Sequence, residues 1–350
     1  MGRTHLWITG SRVACAGFNQ AIDVEMNVEI NDMVKNWFIY SIVAITVMGC
    51  QTTTIKTNIT QSTITGVTNN VTNNNVILSD APENWWQKTN IHAMAVSPEN
   101  PEILYVATHH GLLQRSEAGK WLQVGETRSN FTSFVAHPKD SGRFYASLHP
   151  PSGGKLGFLT SYNQGQHWQL QSLLGVDFLT LAIAPANPKV IYGWAVSGKQ
   201  GLLVSKDGGK TWNQLPAQGL EDNPHNLVVD PRNPEHLFAA TTLGLFETRD
   251  GGKSWILVPN SQESLVASLA LKSEAEKTVI YGFHILSEDS GGFFKSTDGG
   301  KNWEAISSET GDLFLYMAIA PSNPEFLYAA NDQNGILQSK DSGKTWQPLF

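Results

Sequence analysis

Six tryptophans, Trp121, Trp168, Trp212, Trp255, Trp303 and Trp346, are spaced 47, 44, 43, 48 and 43 residues apart in this 350-residue chain. Self-similarity at such a period restricts the fold to repeat architectures. Each tryptophan ends the same order of segments. An apolar run stops near a proline, as in HAMAVSP (92–98) and YMAIAPSNP (316–324). An aromatic-led run follows, ILYVATH (103–109) or FLYAAND (326–332), then a short GLLVS or GILQS segment. Alternation, β-branched and aromatic enrichment, and Gly/Asn/Asp/Pro punctuation read as strands and turns without helices. Four strands in about 45 residues make one blade of a β-propeller. The expectation is an all-β single propeller of six four-stranded blades. NWWQKT (84–89) reads as a stray fourth strand that helps close the ring, which keeps seven blades open as the alternative.

An octapeptide forms the hairpin between the third and fourth strands. It reads SKDGGKTW (205–212), TRDGGKSW (248–255), STDGGKNW (296–303) and SKDSGKTW (339–346), with weaker copies SYNQGQHW (161–168) and RSEAGKW (115–121). A tight hairpin needs a position of positive φ, which glycine supplies. Asp207, Asp250, Asp298 and Asp341 are placed to accept amides of their own turns. Trp212, Trp255, Trp303 and Trp346 are placed to bury their rings between sheets. The octapeptide is therefore scaffolding. Its pattern, S-x-D-x-G-x-x-W, resembles the Asp-box, or BNR repeat, of sialidases and related propellers.

The N-terminal fifth reads differently. MVKNWFIYSIVAITVMGC (33–50) has a cation, an apolar core and a small-residue end, the order of a secretory signal and short for a membrane span. VMGC resembles the lipobox of bacterial lipoproteins, which implies cleavage before Cys50 and acylation of its thiol. Residues 1–32 place Asp23, Glu25, Glu29 and Asp32 ahead of the apolar run, where a signal needs positive charge. They read as a gene-model extension upstream of a start at Met33. The domain plan is that extension (1–32), a lipoprotein signal (33–49), a Thr/Asn-rich disordered tether (50–80) and the propeller (81–350). Gln51 after the acylated cysteine favours an outer-membrane destination. Cys15 and Cys50 are the chain's two cysteines, so a disulfide framework and a multi-cysteine zinc site are excluded. The net charge of −7 argues against nucleic acid as a partner.

In a blade of this order, the first strand starts and the second ends on the rim away from the octapeptides. Counting four residues past the aromatic of each second strand gives His109, His149, Val196, Thr242, Ile285 and Asp332. Closing the ring brings Asp332, His109 and His149 onto neighbouring blades. His92 joins them from the first strand of blade one, and His110 lies beside His109. His225 matches His92 across the ring, and His284 precedes Ile285. Three or four imidazoles with a carboxylate suit zinc or copper. They also suit acid–base work, with Asp332 as the candidate catalytic group. Isolated rim histidines bonded to loops would look the same in sequence.

Sialidases sharing the box also use an arginine triad and an F/Y-R-I-P stretch. This sequence has no such stretch, and Arg115 and Arg249 belong to octapeptide turns, leaving Arg128, Arg143 and Arg232. Glycoside hydrolysis needs a carboxylate pair, for which Asp177, Glu221, Asp222, Glu288, Asp289, Asp312 and Asp332 are available. Xyloglucanase-type enzymes share the NPxxLY…SxDGGKTW order but place a cleft between two propellers, where one is read here. Over residues 80–350 the chain resembles bacterial exported BNR-repeat propellers classed as sialidase-like or glycosyl-hydrolase-like. THHGL (108–112) and the His-Pro pairs at 137–138 and 149–150 look like features of that group. Photosystem assembly factors with similar repeats are a more distant likeness, with an arginine patch this chain lacks. The resemblance implies a monomeric, lipid-anchored propeller in the cell envelope, binding a glycan, an envelope protein or a divalent metal at the far rim. The alternative is a glycoside hydrolase of unknown linkage.

Overall fold

The computed structural model describes residues 78–350 except 263, 264, 288, 289 and 308–310. The expected extension, the signal, Cys50 and the tether up to residue 77 lie outside the described residues, as do Glu288 and Asp289.

Six antiparallel sheets each run in sequence order from an inner to an outer strand. The inner strands are Ile91–Val96, Asn130–Ala136, Asp177–Ile183, Asn226–Val229, Leu265–Glu274 and Phe314–Ile319. The second strands carry most of the core. Leu104–Thr108, Leu237–Thr241 and Leu327–Asn331 are buried at every residue, which explains their unbroken apolar-and-small sequences. Leu78–Asp80, at the end of the expected tether, pairs with Trp121–Val124 and gives blade one a fifth strand.

The ring has six blades. NWWQKT does not form a fourth strand; Trp85–Gln87 is a single 3-10 turn. Asn84, left-handed at φ 52°, starts that turn, and Trp85 buries against Trp121 and Phe350. The segment does help close the ring, but with side chains and carbonyls instead of a ladder. Blades six and one share no strand. Asn334 bridges them: its Oδ1 accepts the Ile91 amide at 3.0 Å, and its Nδ2 donates to the carbonyls of Trp86 and Thr89 at 2.9 and 2.7 Å. Tyr328 Oη donates to Pro101 O at 2.7 Å, Gln338 and Lys340 reach Glu102, and Trp86 stacks on Phe350.

The octapeptide turns follow one plan. Asp207 Oδ1 accepts the amides of Lys210 and Thr211, its Oδ2 accepts the Thr211 hydroxyl, and Ser205 Oγ accepts the Gly209 amide. Those bonds, the Thr211 hydroxyl first, hold the Asp207 carboxyl down to about 2. Trp212 Nε1 donates to Gly209 O. The glycine has a second duty besides its φ of 88°. A Cβ at Gly209 would lie 2.1 Å from the Phe158 ring of the preceding blade, and Gly252, Gly300 and Gly343 press on Leu202, Leu245 and Ile306 in the same way. The turn is thus also the seam between blades.

Candidate functional site: the channel mouth away from the octapeptide turns

Five of the six inner strands carry a β-bulge at one register position. In blade one, Ile91 pairs with Thr108 and Ala93 with Ala107, leaving His92 between them. The same step leaves out Thr132, Leu179, Ala267 and Leu315 in blades two, three, five and six. In blade four, Pro224 has no amide to pair, and the His225 amide bonds to Ala240 O beside the Asn226–Ala240 pair. A bulge at a sheet end re-aims the extra side chain. The extra residues are His92, Thr132, Leu179, Ala267 and Leu315, with His225 at the equivalent place in blade four. His92, Leu179 and His225 line the channel, Leu315 is exposed, and Ala267 is buried in the core. Leu179 and Leu315 remain 40% and 37% exposed. Leu174 and Leu243, also exposed, sit on connections of the same rim, and exposed Leu286 lies at the end of the strand Lys277–Ser287.

The residue after each of these six positions forms a second layer: Ala93, Ser133, Thr180, Asn226, Ser268 and Tyr316. Below it the inner strands enclose a channel cavity of about 230 Å³. No residue lining it carries a formal charge at neutral pH. Burial, then the neighbouring His109, lowers the His92 imidazole to about 4. His225 opens to solvent on one side and is walled by protein elsewhere; this desolvation lowers its pKa although its Nε2 bonds to Val266 O at 3.1 Å. Burial raises the Tyr316 phenol.

The two halves of the ring use their mouth polar groups differently. In blades four to six they stitch blades together: Asn226 Oδ1 accepts the Leu269 amide and Ser268 Oγ donates to Phe314 O. In blades one to three, buried atoms lack a protein hydrogen-bond partner: His92 Nε2, Asn130 Oδ1, Ser133 Oγ, His149 Nε2 and Asp177 Oδ1. His149 Nε2 does lie 3.0 Å from Asp177 Oδ2. The contact is close but poorly aimed, so it counts as electrostatic proximity and not as a hydrogen bond.

The rim histidines therefore separate. His92 and His109 come together, ring centroids 4.3 Å apart and tilted 40°. His149 turns instead to Asp177, which also faces Lys155 at 4.0 Å. His110 is exposed, its amide bonded to Thr108 Oγ1 in the THHG turn. Asp332 is exposed at the rim, and its amide bonds to Leu313 O. His284 is buried against Phe294 and Trp303, which lowers it to about 4 by desolvation. Among the described residues no three His, Cys, Asp or Glu side chains converge as metal ligands would. Of the other rim carboxylates, Asp222 accepts both the amide and the hydroxyl of Thr242.

A second polar cluster, on the octapeptide rim, escaped the sequence reading. His236 Nδ1 meets Asp230 Oδ2 at 2.7 Å, and its Nε2 meets Glu247 Oε1 at 2.8 Å. Burial opposes charge on this ring, but the two carboxylates outweigh it and raise its pKa. A signal was available. The partners of the second-strand aromatics Tyr105 and Tyr328 are Gln114 and Gln338, which bond the phenol oxygens. In blade four Phe238 has no hydroxyl, its partner is Glu247, and His236 supplies the missing donor.

Blade count, topology and turn pattern define the class: a BNR-type six-bladed β-propeller. A family model described as photosynthesis system II assembly factor YCF48 matches residues 160–315, less than half of the chain. The matched family is the assembly-factor group set at a distance above. Similar folds include the GH74 xyloglucanase from Xanthomonas campestris, at 18% identity and TM-score 0.53, covering 75% of this chain and 45% of that one. The GH74 enzyme from Niastella koreensis shows 15% identity and TM-score 0.53, covering 74% and 45%. The extracellular domain of a one-component system from B. thetaiotaomicron shows 15% identity and TM-score 0.50, covering 74% and 33%. This chain spans less than half the length of each, and at such identities the likeness is one of fold. No curated protein matches the chain in sequence.

Proposed function

We propose that this chain is an extracytoplasmic binding propeller, anchored to the cell envelope through a lipid on Cys50, that takes its ligand at the channel mouth away from the octapeptide turns. The observation that carries the reading is the set of five in-register bulges, with His225 at the equivalent place in blade four, because a fold held by identical turns has no structural need to re-aim side chains such as His92 and Leu179. Exposed Leu179 and Leu315 beside His92 and His225 make that mouth half apolar and half polar, the mixture of a binding surface. The extracellular and glycan-active proteins among the fold neighbours are compatible with this placement.

The test is binding by the full chain to a glycan array and to zinc and copper, with Leu179→Asp/Leu315→Asp at the mouth and Lys301→Glu on the opposite rim as control. Binding lost with the leucines and kept with Lys301→Glu supports the reading. The reverse pattern overturns it. Turnover of a bound glycoside, abolished in Asp332→Ala, would replace it with the hydrolase alternative.

A further inference from the structure

We infer that the channel mouth of blades one to three is built for the end of an uncharged, polyhydroxylated ligand, a neutral sugar, with His92 Nε2 and Ser133 Oγ as its buried contacts. This rests on the mouth being the binding surface and adds the class of ligand it takes.

Three observations support it. Ser133 is 3% exposed, lines the channel cavity, and its hydroxyl bonds to nothing in the protein. A buried hydroxyl without a partner is unfavourable by about 1–3 kcal/mol in general, and native structures keep few such groups without a reason. His92 Nε2, lining the same cavity, is the second orphan. The corresponding groups of blades four and five, Asn226 and Ser268, are consumed by blade-to-blade bonds, so the orphans mark one sector and are not a general property of the fold.

The class of ligand follows from what the cavity lacks and what it holds. With no Asp, Glu, Lys or Arg in its lining, and with His92 and His225 held neutral by desolvation, the cavity offers no countercharge to an ionised ligand, whose burial would then be costly. The Asp177 carboxylate of the same mouth lies outside the lining, with the Lys155 ammonium 4.0 Å from it. Beside the two orphans, Thr180 and Tyr316 add a hydroxyl and a phenol to the lining. Several hydroxyls on one ring can answer several of these at once, which a single amide cannot. A cavity of 230 Å³ holds about eight waters, the space of one hexose ring. The apolar inner-strand side chains beneath would meet the sugar's C–H face.

The experiment uses the full chain with glucose, galactose and N-acetylglucosamine against glucuronate and glucosamine at pH 7, by saturation-transfer NMR and calorimetry. Ser133→Ala and His92→Phe are the variants. Ser133→Ala should leave the melting temperature unchanged, since no protein bond is lost, and weaken neutral-sugar binding about ten-fold, the worth of one hydrogen bond. His92→Phe keeps an aromatic ring against His109 and removes the nitrogen. Neutral-sugar binding indifferent to both variants overturns the placement. Glucuronate or glucosamine bound as tightly as the neutral sugars overturns the ligand class while leaving the mouth as the binding surface. Zinc or copper binding lost in His92→Phe, with no sugar bound, overturns it in favour of a metal. No binding by any probe overturns both this inference and the reading it rests on.

Discussion

Replacing Asn334 tests how the ring is closed. Blades six and one share no strand, so the seam depends on side chains, and Asn334 makes three hydrogen bonds across it, at 3.0, 2.9 and 2.7 Å. Each is worth about 1 kcal/mol net. Asn334 also sits at φ 64°, a left-handed conformation that Asn tolerates, Gly adopts freely and Ala resists by about 1 kcal/mol. Because the site is half-buried, water can reclaim part of the loss. Asn334→Gly should therefore cost about 2–3 kcal/mol and Asn334→Ala about 3–4 kcal/mol, the difference being backbone strain. The chain's 11 tryptophans make fluorescence-monitored urea unfolding a direct assay. At a slope of about 3 kcal/mol per M, the alanine variant should lose about 1 M in midpoint. Asp298→Ala is the comparison. It removes four bonds, but from an exposed local turn, and should cost only about 1 kcal/mol. If Asp298→Ala costs more than Asn334→Ala, or if the Asn334 variants lose under about 0.5 kcal/mol, side chains do not close this ring.

Three further outcomes follow from the same structure. His236 is held above its ordinary 6.5, so its stabilisation is full below that value and is lost as pH rises through the higher folded-state pKa. The lowered pKa values of Asp230 and Glu247 make their share vanish in acid, as pH falls through those folded-state values. His236→Gln should therefore narrow its stability gap to the native chain above neutral pH and in strong acid, measured by melting across pH. His92 and His284 are lowered to about 4, so the stability they confer is present above 6.5 and lost as pH falls through 4; a His284→Phe chain should show a shallower acid limb in the same melts. Gly209→Ala should lower stability by about 2–4 kcal/mol, because the added methyl meets the Phe158 ring at a φ of 88°; retention of native stability in urea would show that the seam can yield.

The tryptophan period, the octapeptide and the aromatic that opens each second strand belong to the repeat itself, so blade architecture, topology and the two rims were legible in the residues alone. Local chemistry was enough: turn amides for Asp207, positive φ for the glycines, alternation for the strands. Matching the repeats was also enough to align His92 with His225 and to list His109, His149 and Asp332 on one rim. Tertiary structure decided which of these meet. His149 turns to Asp177, in the next blade, and Asp332 stays in solvent, because side-chain direction at a rim depends on the packing of neighbouring sheets. The five bulges arise from a slip between paired strands, which the sequence of one strand does not encode. The His236 cluster joins residues whose roles become visible only when Phe238 is set opposite Glu247. The closure at Asn334 links positions more than 240 residues apart, a contact that exists only once the ring has closed.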